Sequence, residues 1–343
     1  MKTVEPFHIG GETIQPGERA LVELPMARLY TNNKMTLPVQ VVHGRRPGPV
    51  LFVSAAVHGD EINGVEIIRR LLQNRTLDKL KGTLLAVPVV NLFGFIQRAR
   101  YLPDRRDLNR SFPGTEKGSL AGRLAHLFMK EIASRCDLGI DLHTGSNFRS
   151  NLPQIRACLD DRQTIELASA FGAPIVVPSE LREGSLRESV AELGKPVLVY
   201  EGGEALYFNE SVIRTGLQGI LKVMRHVGML PANRRIKQRE PIVTDRTSWV
   251  RAGMSGTFFR RVQLGDLVKK RHIIGVLSDP FGDDHEDVRA PFTGVVIGQL
   301  NLPLAHEGDA LIHLAKVPDT DEAEEALDEY TSSLTEDDFS LER

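Results

Sequence analysis

Four stretches of the chain carry residue types that can do chemistry. In His58-Gly-Asp-Glu61 an imidazole and a carboxylate stand three residues apart, and both can donate electron pairs to a cation. His143, within Asp141-Leu-His-Thr-Gly145, offers a third donor of the same kind. Catalytic zinc sites use three protein ligands and keep one position open. Two histidines and one carboxylate, split into a close pair and a distant third, suit that layout. Asp107-Leu-Asn-Arg-Ser-Phe-Pro-Gly114 places Asn109 beside Arg110 in a loop bounded by Pro and Gly. A guanidinium grips a carboxylate through two parallel hydrogen bonds, and an amide adds another. Glu201, ahead of Gly202-Gly203, is a carboxylate able to move a proton. Each signal has a plainer reading when taken alone. His58 could cap the following helix, Glu61 could be a first-turn carboxylate favoured by the helix dipole, and Asn109-Arg110 could form a surface salt bridge. Asp141 is expected to point away from His143 along its strand and to hydrogen-bond elsewhere.

The elements that must position these residues alternate between strand and helix. Apolar, β-branched runs at 50–57, 83–90, 138–142 and 197–200 read as sheet strands buried on both faces. They end in His58, Asn91, His143 and Glu201, residues that can bind, donate or accept. Carboxyl ends of strands are where open α/β sheets keep their ligands. Helical spacing appears at 63–73, 118–134, 162–170, 186–193 and 209–227. Residues 1–47 read as short antiparallel strands. The alternation argues for an α/β fold with a sheet covered on both faces. From about residue 240 the helices give way to short β pieces and turns, which suggests a small all-β, barrel-like module. The domain reading is 1–235, 236–317, and an acidic, solvated, disordered tail at 318–343.

The 343 residues, 41% hydrophobic and 26% charged, suit a water-soluble chain of two domains. No apolar run is long enough for a membrane helix, and the first residues lack the apolar core of a signal peptide. Two cysteines, Cys136 and Cys158, cannot form a disulfide scaffold and read as inert thiols. A cytoplasmic protein is expected. Residues 318–343 hold eleven acidic residues and one Arg, so the other 34 acidic and 42 basic residues leave a net of +8 in the body. That tail could also shield a basic cleft or bind a partner. With aromatic content of 6% and no aromatics interleaved with basic runs, nucleic acid is not an expected ligand.

Taken in order, His58-Gly-Asp-Glu61, Asp107-Leu-Asn-Arg-Ser-Phe-Pro-Gly114, Asp141-Leu-His-Thr-Gly145 and Glu201-Gly-Gly203 resemble the succinylglutamate desuccinylase/aspartoacylase family of the zinc carboxypeptidase superfamily. The resemblance covers about residues 45–230 strongly and the β module more loosely. It implies a mixed central sheet with helices on both faces. It also implies one Zn2+ per chain held by His58, Glu61 and His143, with Glu201 as general base. Asn109 and Arg110 would clamp a substrate carboxylate, and Arg187 would be a second substrate arginine. Arg100 would polarise the scissile carbonyl, with Arg98 or Arg106 as alternatives because the spacing to Asn109 differs from mammalian members. Some members use a tyrosine from the C-terminal part. Residues 231–317 contain none, so that role is either absent or filled from elsewhere, by Tyr207 or Tyr101.

The leading expectation is a zinc hydrolase that removes the acyl group of a small N-acyl amino acid. A metallocarboxypeptidase acting on short acidic peptide ends is the second reading, and a non-catalytic binding protein the third. Membrane partners are not expected, and self-association is left open. The segment Gly265-Asp-Leu-Val-Lys-Lys-Arg-His resembles a lipoyl or biotinyl barrel turn, but Lys269 and Lys270 lack the hairpin setting. The module therefore reads as a structural lid or rim.

Overall fold

The apolar runs expected as strands form the parallel centre of a large mixed sheet. The computed structural model describes residues 4–232, 241–317 and 320–336. A small hairpin, β1 (Phe7–Ile9) and β2 (Glu12–Ile14), precedes the antiparallel pair β3 (Arg19–Arg28) and β4 (Lys34–His43). The α/β body then runs β5 (Arg46–Ala55), α1 (Asn63–Gln73), β6 (Lys81–Val87), α2 (Leu92–Gln97), α3 (Leu120–Glu131) and β7 (Leu138–Gly145). It continues with β8 (Arg149–Ala157), α4 (Arg162–Phe171), β9 (Ile175–Pro178), α5 (Leu186–Ala191), β10 (Val197–Glu204) and α6 (Glu210–His226). The C-terminal part holds β11 (Ile242–Val243), β12 (Thr247–Arg251), β13 (Gly256–Arg260), β14 (Leu267–Val268) and β15 (Ile273–Ser278). It ends with β16 (His285–Arg289), β17 (Gly294–Leu300), β18 (Leu304–Ala305), β19 (Ala310–Lys316) and α7 (Thr320–Glu336).

The main sheet has the order β12-β19-β17-β8-β10-β7-β5-β6-β4-β3. Strands β6, β5, β7 and β10 are parallel, so their carboxyl ends share one edge of the fold. Every residue of β7 is buried, the apolar Leu138, Ile140 and Leu142 as well as the polar Asp141, His143 and Thr144. One face carries α1, α4 and α6, packed through Ile67, Leu71, Leu167, Phe171 and Ile220. The other carries α3 and α5, packed through Leu124, Phe128, Leu186 and Val190. The Phe128 ring meets Phe52 of β5 edge to face at 5.6 Å. Each such fully buried side chain contributes roughly 1.5–3 kcal/mol. These two layers clamp the strands and hold their ends in register, with His143 of β7 directly opposite Glu201 of β10.

Strands β8 and β9 occupy stretches with no strand expectation. β8 runs antiparallel between β10 and β17 and joins the α/β body to the C-terminal part. Three C-terminal strands, β17, β19 and β12, therefore extend the main sheet, while β16-β15-β13-β18 form a separate four-stranded sheet. Phe258, Ile274 and Leu277 of that sheet pack against Val296, Leu311 and Leu314. The expected domain boundary at 235/236 lies outside the described residues.

The acidic stretch differs from the expected disordered tail where it is described. Thr320–Glu336 is a helix, with Ala323 and Leu327 buried among Ile175, Val295 and Val317. The Tyr330 hydroxyl lies 2.9 Å from Thr215 Oγ1. An apolar stripe at i, i+4 spacing sits under the charged face, and burying it favours docking over solvation. Residues 337–343 lie outside the described residues. Among the described residues, no helix is long and apolar enough to cross a membrane.

Candidate metal centre and substrate cavity

Strand β5 ends in a tight turn that brings His58 back over the sheet edge. Ala56 takes a left-handed backbone, φ 48°. Gly59 packs on α2 so closely that a Cβ there would lie 2.0 Å from the Gly94 carbonyl carbon. Only glycine permits that approach. His58 does not cap α1, whose N-terminus has no side-chain cap among the described residues. Instead its Nδ1 lies 2.7 Å from Glu61 Oε1, and its Nε2 lies 3.0 Å from Asp107 Oδ1.

His143 repeats the arrangement. Its Nδ1 lies 2.9 Å from Glu61 Oε2, and its Nε2 lies 2.7 Å from Asp141 Oδ2. The expectation that Asp141 points away is therefore incorrect. Residues i and i+2 of a strand share a face, so Asp141 lies beside His143, and Ser54 Oγ donates to its other oxygen. Thr144 N–H also donates to Glu61 Oε2. His58, Glu61 and His143 are all buried, and one ligand atom from each lies within 4.8 Å of the others. Two imidazole nitrogens thus face one carboxylate, while a second carboxylate holds each ring from behind. This donor set fits a divalent cation, and the backing carboxylates fix the ring orientations.

The electrostatics favour positive charge at this point. Burial pushes Glu61 up, but the two imidazoles outweigh it and hold the carboxyl well below its ordinary range. Burial pushes His143 down, but Asp141 and Glu61 outweigh it and leave the ring well above its ordinary value. His58 is raised in the same way, by Glu61 and Asp107 against burial. Asp107 is itself lowered, burial being overcome by His58 and Arg100.

Glu201 stands on the next strand. Its Oε2 accepts from Asn151 Nδ2 at 2.6 Å, and Arg156 Nε lies 3.2 Å from its Oε1. The Arg156 contact is an ion pair without hydrogen-bond geometry, because the same Nε has no hydrogen-bond partner among the described residues. Arg100 is anchored twice, to Glu61 Oε1 at 3.2 Å and Asp107 Oδ2 at 2.9 Å. Asn109 Oδ1 accepts from Leu186 N–H at 2.9 Å. Arg110 donates to the Asn109 carbonyl and is otherwise exposed. Arg187 is buried; its Nη2 donates to Ser179 and to the Glu180 carbonyl, and its Nη1 has no partner among the described residues. Burial, with Arg156 close by, lowers the pKa of Arg187.

All eight expected site residues line one cavity of about 840 Å³. Six arginines and four glutamates contribute to its wall. Tyr101, Tyr207, Arg98 and Arg106 do not line it; they are exposed. Asn91 caps α2 and donates to the Arg100 carbonyl, which makes it a support for Arg100. Asp107, Asn151, Arg156 and Trp249 belong to the site without having been assigned roles in it. Asp107 sits inside a motif that drew attention to its neighbours. The other three depend on β8 and β12 meeting the sheet. Burial pushes the Cys136 thiol up, in keeping with an inert side chain.

Residues 47–227 match the family profile of the succinylglutamate desuccinylase/aspartoacylase catalytic domain. An N-alpha-acetyl-L-2,4-diaminobutyric acid deacetylase from Halomonas elongata is 28% identical over 295 residues, covering 82% of this chain and 86% of that protein. A succinylglutamate desuccinylase from Pseudomonas aeruginosa is 32% identical over 143 residues, 38% of this chain and 41% of that one. The product-bound structure of an ectoine utilization protein from Ruegeria pomeroyi is similar with a TM-score of 0.79 at 24% identity, covering 90% of this chain and 98% of that chain. An aspartoacylase family protein from Mesorhizobium loti reaches 0.79 at 21% identity, covering 93% and 100%. At these identities the structural likeness establishes the fold.

Proposed function

The chain belongs to the succinylglutamate desuccinylase/aspartoacylase family, and from that premise we propose that it is a zinc-dependent amidohydrolase acting on an N-acyl amino acid or a similar carboxylate-bearing substrate. The observation that carries this reading is the convergence of three buried donors, one glutamate and six arginines on a single cavity. The curated relatives that match are a deacetylase and a desuccinylase, both deacylating enzymes.

In this reading His58, Glu61 and His143 hold one Zn2+, with Asp107 and Asp141 orienting the two rings. The bound ion supplies Lewis acidity, bringing the pKa of water towards neutrality and polarising an amide carbonyl. Asn109 and Arg110 grip the substrate carboxylate, and the unused Nη1 of Arg187 is free to take a second acceptor. Holding the substrate this way turns the attack into an oriented, effectively unimolecular step. Glu201 takes a proton from the attacking water and returns it to the leaving amine. Asn151 and Arg156 fix its two oxygens for that transfer. Arg100, immobilised by Glu61 and Asp107, presents fixed positive charge to the carbonyl oxygen.

The test is hydrolysis of N-acetyl and N-succinyl amino acids and short acidic peptides, with and without added zinc. Free amino acid should appear from the acylated set. Glu201→Gln should keep its zinc and lose about 10²–10⁴ in kcat. Full activity in a zinc-loaded Glu201→Gln protein would remove Glu201 from the mechanism. Cleavage of peptides alone would favour the carboxypeptidase reading.

A further inference from the structure

The cavity wall beside Glu201 is completed from the C-terminal part of the chain. Among the described residues of that part, Trp249 alone lines the cavity. It reaches there along a row of register partners crossing the sheet. Trp249 of β12 lies opposite His313 of β19, His313 opposite Gly298 of β17, and Gly298 opposite Asn151 of β8. Directly opposed residues share a face. A Cβ on Gly298 would fall 3.3 Å from Trp249 Cη2 and 3.1 Å from Asn151 Oδ1. A side chain on Gly298 would crowd the indole, the His313 Cβ and the amide that holds Glu201 by a few tenths of an ångström, so its absence leaves room for the indole over β17.

The indole is also fixed in place. Its ring stacks on His313 at 4.6 Å with 7° between the planes, and the Arg149 guanidinium lies 5.4 Å from its centroid. Burial, then Arg156, pushes His313 down to about 3, so the stacked partner is neutral at working pH. Across the sheet, Glu201 lies between the β5 and β7 ends, with His58, Glu61 and His143, and the strand that carries Trp249.

Most of the cavity wall is charged or polar. Its apolar members are Pro178, Leu181, Val199 and Trp249, and Trp249 is by far the largest. Apolar surface next to the reacting groups has a use only for the hydrocarbon part of a substrate whose carboxylates sit on arginines. We propose that Trp249 is a specificity-determining residue whose indole forms the wall against the acyl chain and limits the chain length accepted. This rests on the deacylase reading above.

Trp249 is the only tryptophan in the chain, so its emission reports on this wall alone. The zinc-loaded full chain, Trp249→Ala and Trp249→Phe are assayed with N-acetyl-, N-butanoyl- and N-hexanoyl-glutamate. Emission is titrated with the same compounds in Glu201→Gln. Trp249→Ala should raise the hexanoyl-to-acetyl ratio of kcat/KM about tenfold or more, and Trp249→Phe should fall between. If Trp249→Ala does not fold, the ratio in Trp249→Phe decides. A ratio unchanged within about twofold overturns the wall, whatever the emission does. If none of these compounds and none of the N-acetyl and N-succinyl amino acids of the screen above is hydrolysed even by the unmodified chain, the deacylase reading fails, and emission then decides the wall separately. A shift that grows with acyl length keeps it, and emission indifferent to every compound overturns it.

Discussion

The two sides of Glu201 are built on opposite terms. Towards β5 and β7, the buried charges of the donor cluster itself are matched, while beside it only Asp60 Oδ1 and Asn63 Nδ2 lack a hydrogen-bond partner among the described residues. His58 and His143 use both ring nitrogens, and Glu61, Asp107 and Asp141 use both oxygens. Towards β8, β17 and β19, polar atoms are buried without hydrogen-bond partners among the described residues. Those that line the cavity are Arg149 Nε, Arg187 Nη1 and, ion-paired with Glu201 but not hydrogen-bonded to it, Arg156 Nε. An unpaired buried polar atom costs about 1–3 kcal/mol. A saturated network holds still and keeps donor atoms in place for a cation. An unsaturated wall gains free energy when water or an anionic ligand enters it.

That contrast can be broken most severely on the saturated side. Asp141→Asn leaves the His143 ring in place but weakens its acceptor. Zinc affinity should fall about 10–100-fold, with His143→Ala as the reference for complete loss. Stoichiometric zinc in His143→Ala, or unchanged affinity in Asp141→Asn, would mean that the carboxylate-backed imidazoles are structural only.

On the unsaturated side the effect should appear in substrate binding. Arg187→Met removes the donor that lacks a partner but keeps much of the apolar stem. KM for an N-acyl amino acid should rise about tenfold or more, as for a lost hydrogen bond to a charged group, while kcat changes less. A fall in kcat at constant KM would assign Arg187 to the reaction step and remove it from the clamp.

The smallest effect is a pH slope. His313 has a folded pKa of about 3, against 6.5 for the free side chain. Between those values the unfolded chain binds a proton that the folded chain does not. Stability is therefore fully present above about pH 6.5 and declines as the pH falls towards 3, by up to about 1.4 kcal/mol per pH unit. His313→Phe keeps a ring under Trp249 and should flatten that part of the loss, read as Tm between pH 7 and pH 4.5. Parallel losses in both proteins would show that His313 is not what acid attacks first.

The difference between the two sides is also a difference in legibility. The saturated side is local in sequence. A strand that runs straight into His-Gly-Asp-Glu, and another that carries Asp-Leu-His, announce both their geometry and their donors. Strand alternation alone puts Asp141 and His143 on one face, which is where the structure has them. Helix α1 follows from its apolar spacing, with the same limits expected and found. In the tail, the density of acidic residues masks the i, i+4 spacing of Ala323 and Leu327 that docks its helix.

What the amino-acid order by itself determined is the set of strand ends and the chemistry they carry: His58, Glu61, His143, Glu201 and the Asn109-Arg110 loop. What only tertiary structure decided is who stands behind and opposite them. Strand β8, interrupted by Pro153 and rich in polar residues, has no apolar period to reveal it, yet it carries Asn151 and Arg156. Trp249 reaches the cavity through three successive strand registers and the missing side chain of Gly298. Periodicity is a property of neighbours along the chain, whereas register between distant strands is settled only when the whole sheet closes.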